Sequence, residues 1–104
     1  MDRYEKYIER SDLKGATHLE VSVYYAKGGP SPLTDSVTPR GYYLSVRPVT
    51  KRDGMVSANL FSGRRQLLFE TSRYTAKQFV KAIEKSWDIE DELIALVATE
   101  NQAA

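Results

Sequence analysis

RGYYLSVRPVTKRDGMVSANLFSGRRQLLFETS, residues 40–72, holds two turn signals, Asp53-Gly54 and Ser62-Gly63, between runs rich in aromatic and β-branched residues. That spacing predicts three consecutive antiparallel strands, a β-meander. Val56, Ala58 and Leu60 alternate with Ser57 and Asn59, the period of a half-buried strand. A two-residue turn at Ser62-Gly63 would set Phe61 opposite Arg64, Ala58 opposite Leu67 and Val56 opposite Phe69, collecting the apolar residues on one face. At the other turn two registers compete. A two-residue Asp53-Gly54 loop puts Arg47 and Val49 on the core face. A three-residue loop, Arg52-Asp53-Gly54 with a left-handed glycine as a bulge, sets Val46 opposite Leu60 and Pro48 opposite Ala58, with Arg47 beside Asn59. A one-residue slip inverts every side chain, and the second register keeps Val46 inside, so it is the one expected.

Working outward, residues 17–26 form a strand with Leu19, Val21, Val23 and Tyr25 on one face and His18, Glu20, Ser22 and Tyr24 on the other. Residues 28–39, with three prolines and two glycines, read as a long loop. Tyr4, Tyr7 and Ile8 stand at i, i+3 and i+4, so residues 2–13 read as a short amphipathic helix or a frayed tail. After the meander, Thr75 and Gln78 form a capping box, and Phe79, Val80, Ile83 and Trp87 make an apolar stripe. Asp88 is placed to cap a second helix bearing Ile89, Leu93, Leu96 and Val97, although the pattern does not decide between one bent helix and two. Residues 100–104 read as a frayed tail. The expected fold is α+β: one domain over residues 1–104, a four-stranded, mostly antiparallel sheet with one or two C-terminal helices on one face.

Composition narrows the function. The chain of 104 residues is 41% hydrophobic and 28% charged, has no cysteine, and contains no apolar run of membrane-spanning length. A cytoplasmic protein is expected, without disulfide or thiolate chemistry, and the N-terminus lacks the apolar core of a secretory signal. The net charge of +1 conceals an asymmetry: residues 16–75 hold eight Lys/Arg against four Asp/Glu, whereas residues 76–104 hold three against six.

The sheet face left uncovered by helices would carry Tyr43, Ser45, Arg47, Asn59, Phe61, Arg64 and Gln66, with Ser22 and Tyr24 beside them. Lys51 and Arg52 at one turn, and Arg64 and Arg65 at the other, extend its positive charge. Aromatic rings on which bases stack, among arginines that neutralise phosphate, suit single-stranded DNA or RNA. The candidate nucleic-acid-binding residues are therefore Tyr24, Tyr43, Arg47, Lys51, Arg52, Asn59, Phe61, Arg64 and Arg65. Two simpler readings stand beside this one. Strands favour such residues without any ligand, and an exposed aromatic patch also suits a homodimer or protein-interaction surface. On either reading Arg47 and Phe61 point away from the core, so that Arg47→Gln is expected to leave stability nearly unchanged.

Catalysis finds less support. His18 is the only histidine, and a Ser/His/Asp set drawn from His18, Asp35 and a serine has no GxSxG elbow. The acidic run Asp88, Glu90, Asp91, Glu92 suits a helix N-terminus better than a metal. Lys27-Gly28-Gly29-Pro30 lacks the order of a phosphate loop. No enzyme, cofactor or metal site is expected.

The segments VSVYYAKGG (21–29), PRGYYLSVRPV (39–49) and GMVSANLFSGRRQLLFE (54–70) together resemble a family of small uncharacterised proteins carried by conjugative and transposon-like elements of Gram-positive gut bacteria. The family pattern is a strand ending in Y-[YS]-x-K-G-G, an R-G-Y-Y-L-S-V-x-P-V strand and an F-[ST]-G turn. PSPLTD after the double glycine and a longer N-terminal extension depart from it. The resemblance implies a mobile-element setting and a DNA-handling or regulatory accessory, without an activity. At the level of fold alone, strands followed by a helix are similar to coactivator-like and whirly single-stranded DNA binders.

Overall fold

The computed structural model describes residues 4–30, 37–58 and 63–103. In chain order the elements are β1 (Tyr4–Glu9), β2 (His18–Ala26), β3 (Gly29–Pro30), β4 (Val37–Thr38), β5 (Gly41–Arg52), β6 (Met55–Ala58), β7 (Arg64–Glu70), α1 (Ala76–Trp87) and α2 (Glu90–Glu100). The fold is the expected α+β arrangement, with five strands in the main sheet rather than four. β1 pairs β2, β2 pairs β5, and both β6 and β7 pair β5, all antiparallel.

The meander departs from expectation in both strand registers. Arg52 pairs Met55 and Val49 pairs Ala58, so the two-residue Asp53-Gly54 turn is the one formed. Both central residues have positive φ, 52° at Asp53 and 79° at Gly54, the mirror-image turn whose twist matches that of the flanking strands. The expected pairs Ala58–Leu67 and Val56–Phe69 are not formed: β6 and β7 each pair β5 instead, and Ser62 lies outside the described residues. The two strands run in the same direction along the same edge of β5, β6 against residues 49–52 and β7 against residues 41–46.

Pro48 lies on the same edge of β5, between the two paired stretches. The Thr17 N–H donates to the Val49 carbonyl, and alternate residues of an antiparallel strand address opposite neighbours. Pro48 therefore faces the β6/β7 edge with no N–H to offer it. Among the described residues that edge pairs with Met55–Ala58 and with Arg64–Glu70, and residues 59–62 lie outside them.

A β-bulge in β7 then divides its side chains. Tyr42 pairs Phe69 but Tyr43 pairs Leu67, which leaves Leu68 without an opposite residue. Beyond the bulge, Leu68 and Phe69 both pack against the core. Before it, Arg65 and Leu67 share the face of Ser45 and Tyr43, while Arg64 and Gln66 share that of Val46 and Leu44.

The core lies between the sheet and the two helices: Leu19, Val21, Val23, Tyr42, Leu44 and Val46 meet Phe79, Ala82, Leu93, Val97 and Ala98. Thr75 caps α1, its hydroxyl accepting from the Gln78 N–H as the capping box requires. Asp88 ends α1 and does not cap α2, whose N-cap is Ile89. α1 turns Phe79, Ala82 and Ser86 inward, a narrower stripe than the sequence offered. Small residues at 82 and 86 let the helix approach the sheet closely. Val80 and Trp87 are thereby left on its flank, Trp87 with 60% of its surface exposed, and the expected burial of Trp87 is not met. Val56 is also exposed, and Leu60 lies outside the described residues.

The N-terminal segment is neither a helix nor a frayed tail. β1 adds an edge strand to β2, with Tyr4, Lys6 and Ile8 opposite Val23, Val21 and Leu19 on the helix side. Lys6 reaches across that side to a nearly buried Glu90 at the start of α2, an ion pair that raises the affinity of Lys6 for its proton. Lys6→Ala should destabilise the protein by about 1–3 kcal/mol, because it strands a desolvated carboxylate. A chemical-denaturation midpoint indistinguishable from wild type would contradict this.

The remaining connections are also more ordered than expected. β3 and β4 pair as a small ribbon within 28–39. Asn101–Ala103, read as fraying, bonds to the loop after β1, with Lys14 N–H on the Asn101 carbonyl and Ala103 N–H on the Asp12 carbonyl.

Candidate nucleic-acid interface

The face away from the helices is built from alternate residues of β1, β2, β5 and β7. Two networks occupy it, and both are made by the chain's own side chains.

The lower network centres on Glu20, which is only 4% exposed although no helix covers it. Arg47 donates from Nε to Glu20 at 2.7 Å, and the Tyr7 hydroxyl donates to the other carboxylate oxygen at 3.0 Å. Burial, reinforced by the bond to Glu20, pushes the Tyr7 hydroxyl up from its ordinary pKa. Lys51 completes the group with its ammonium 4.4 Å above the Tyr7 ring. The expected role of Arg47 as a ligand arginine is thus preceded by a structural one. The charge it carries is met by Glu20.

The upper network centres on two rings. Tyr24 and Tyr43, cross-strand neighbours, stack with centroids 5.9 Å apart and planes at 21°. Arg65 lies 4.7 Å from the centre of the Tyr43 ring and donates to the Tyr24 hydroxyl at 3.2 Å. Tyr43 is buried in this stack, its hydroxyl donating to the Pro39 carbonyl. Desolvation raises the Tyr43 pKa although the nearby guanidinium acts in the opposite sense. Tyr24 is half-buried and Arg65 exposed, so these two present the network to solvent. Between the networks lies a hollow of about 190 Å³ bounded by Glu20, Ser22, Tyr24, Ser45 and Arg47.

The other expected residues separate. Arg64 stands on the helix side, where Nε and Nη2 make a bidentate pair with Glu100 of α2 at 2.5 and 2.6 Å. The pair holds the Glu100 carboxyl below its usual range. Arg64 therefore leaves the site, and so does Gln66, because the β7 bulge reverses the expected parity. Arg52 is exposed at the Asp53-Gly54 turn. Asn59 and Phe61 lie outside the described residues, as does Asp35.

Sequence reasoning did not anticipate Tyr7 or Lys27. Residues 2–13 read as a short helix or a frayed tail, and only the period-2 pattern of Tyr4, Lys6 and Ile8 points Tyr7 to the sheet. Lys27, at the end of β2, borders a hollow of about 370 Å³ shared with Gly28, Gly29, Thr38 and Arg65. Among the described residues no group of three His, Cys, Asp or Glu side chains could hold a metal ion. No helix among them is long and apolar enough to cross a membrane.

An α+β protein with an antiparallel sheet and one helix-free, aromatic and cationic face is what the fold and site define. The chain matches no protein-family model, no curated protein and no solved structure.

Proposed function

We propose that the chain is a non-catalytic accessory that binds single-stranded nucleic acid at the upper end of its helix-free face. The observation carrying this reading is the exposed Arg65, its guanidinium over the Tyr43 ring and bonded to the hydroxyl of the stacked Tyr24, with Lys27 bordering the same hollow. Such a group offers a flat surface for a base and cations for the adjoining phosphates. Lys51 and Arg52 continue the positive surface at the far turn. The resemblance to proteins of mobile elements, and the lack of cysteine, favour a cytoplasmic, DNA-handling setting.

Fluorescence anisotropy with a labelled mixed-sequence oligonucleotide at low salt tests the proposal. Tyr24→Ala should weaken binding by about 1–3 kcal/mol, the worth of one base–aromatic stack, with little change in salt dependence. Arg65→Gln should weaken it and also reduce the slope of log K against log salt by about 0.7, the single-strand value for one phosphate contact. Absence of wild-type binding at low salt would overturn the reading.

A second reading, a protein-interaction or homodimerisation module, draws on a different surface. Val80 and Trp87 lie two turns apart on the flank of α1 and are 53% and 60% exposed. Exposed Trp is over-represented where proteins meet. Loss of self-association in Trp87→Ala, measured by sedimentation, would favour it.

A further inference from the structure

On the helix side of the same sheet end, a second cleft of about 550 Å³ is bounded by Tyr25, Lys27, Arg40 and Tyr74. Tyr25 and Tyr74 pack ring against ring with centroids 5.0 Å apart and planes tilted by 30°. Behind them Tyr25 meets Tyr42 edge-on at 5.2 Å, so the pair is anchored in the core. Tyr74 is the outer ring, 52% exposed.

Backbone contacts set the two cationic residues side by side. Arg40 donates from Nε to the Lys27 carbonyl at 2.9 Å, which binds the two residues together and leaves the terminal guanidinium nitrogens free to turn to the cleft. Gly28, with φ +73°, brings the turn after β2 so close to residues 38–40 that a Cβ there would collide with the Thr38 carbonyl oxygen. Among the described residues neither Lys27 nor Arg40 has a carboxylate partner, whereas Arg10, Arg47 and Arg64 each have one.

A preformed cleft of this size with an anchored aromatic wall and two uncompensated cations suits a small ligand that is flat at one end and anionic at the other. We infer that it binds a nucleoside monophosphate group, the base against Tyr74 and the phosphate between Lys27 and Arg40. Arginine and lysine supply charge-assisted donors to phosphate oxygens, and a purine can lie against the exposed Tyr74 ring. The group could come from a free nucleotide or from the 5′-phosphorylated end of a strand. The inference does not depend on strand binding across the helix-free face, since a mononucleotide tests it alone.

The test is an amide chemical-shift titration of the full chain with AMP, adenosine and inorganic phosphate. AMP should shift Lys27, Arg40 and Tyr74 and should bind at least about tenfold more tightly than either fragment, since each supplies only one of the two contacts. Arg40→Gln should weaken AMP by about tenfold while leaving the weak adenosine response intact, and that unchanged response certifies that the variant is folded. A 5′-phosphorylated trinucleotide that binds the cleft more tightly than AMP would identify a strand end as the source, and equal or weaker binding a free nucleotide. No shift at these residues with millimolar AMP overturns the inference. Phosphate binding as well as AMP overturns the stacking of the base. Failure at the cleft with oligonucleotide shifts retained at Tyr24 and Arg65 would remove this inference alone.

Discussion

Tyr42→Ala should lower the stability of the protein by about 3–5 kcal/mol, the usual cost of truncating a fully buried aromatic side chain. Tyr42 has no exposed surface and sits at the junction of the sheet, α1 and β7. The rings of Tyr25, Phe69 and Phe79 surround it with centroids 5.2, 5.4 and 6.2 Å away. Its hydroxyl also approaches the Thr75 carbonyl at the α1 N-cap, which links the strand to the first turn of the helix. A loss of this size is a large part of the stability of so small a domain. Phe69→Ala should cost less, because Phe69 is only half-buried and Lys81 and Lys85 cover its outer face. Urea unfolding of both variants checks the order, and a Phe69 variant less stable than the Tyr42 variant would contradict the core described above.

Arg47→Gln should cost about 3 kcal/mol, contrary to the expectation that a residue on the uncovered face is dispensable for folding. The reason is Glu20, not Arg47. Glu20 is withdrawn from water on a surface that no helix covers, with Arg47 and Tyr7 as its partners. Removing the guanidinium leaves a desolvated carboxylate with one neutral donor. The double variant Glu20→Gln, Arg47→Gln should recover much of the loss, since the charge that needed a partner is gone. Additive losses in the two single variants and the double would contradict the pairing. Any effect of Arg47 substitutions on ligand binding must therefore be read against their effect on folding.

The helix side of β2 and β5 was legible because Leu19, Val21, Val23 and Tyr42, Leu44, Val46 alternate without interruption, and Thr75 with Gln78 marked the start of α1 unambiguously. β1 was hidden by Lys6. A lysine whose ammonium is met by Glu90 occupies a core-facing position, so the period-2 pattern reads as broken while the accidental spacing of Tyr4, Tyr7 and Ile8 mimics a helix. The expected pairing of β6 with β7 failed for a different reason. Ser62-Gly63 is an adequate hairpin signal taken locally, but the twelve-residue β5 is long enough for both segments to share one of its edges. No local pattern contains that relation.

The candidate site shows the same division. Tyr24 was placed on the right face by strand parity. Tyr43 and Arg47 lie there too, although the three-residue loop used to place them is not formed, because the two-residue turn puts Val56 and Ala58 of β6 on the face of Arg47 instead of moving Arg47 to the core. Arg64 and Arg65 exchanged roles because the bulge at Leu68 lies downstream of both, and a bulge leaves no clear mark in a run such as Arg-Arg-Gln-Leu-Leu-Phe-Glu. That Arg47 is engaged by Glu20 while Arg65 remains presented to solvent is a matter of tertiary pairing, which composition cannot rank.

The most direct measurement of the central claim is a map of amide chemical-shift changes on adding a mixed-sequence single-stranded oligonucleotide at low salt. Shifts concentrated at Tyr24, Lys27, Tyr43 and Arg65, and fading as salt rises, are the predicted result. No shifts under these conditions, or salt-insensitive shifts confined to the Val80 and Trp87 flank of α1, would contradict it.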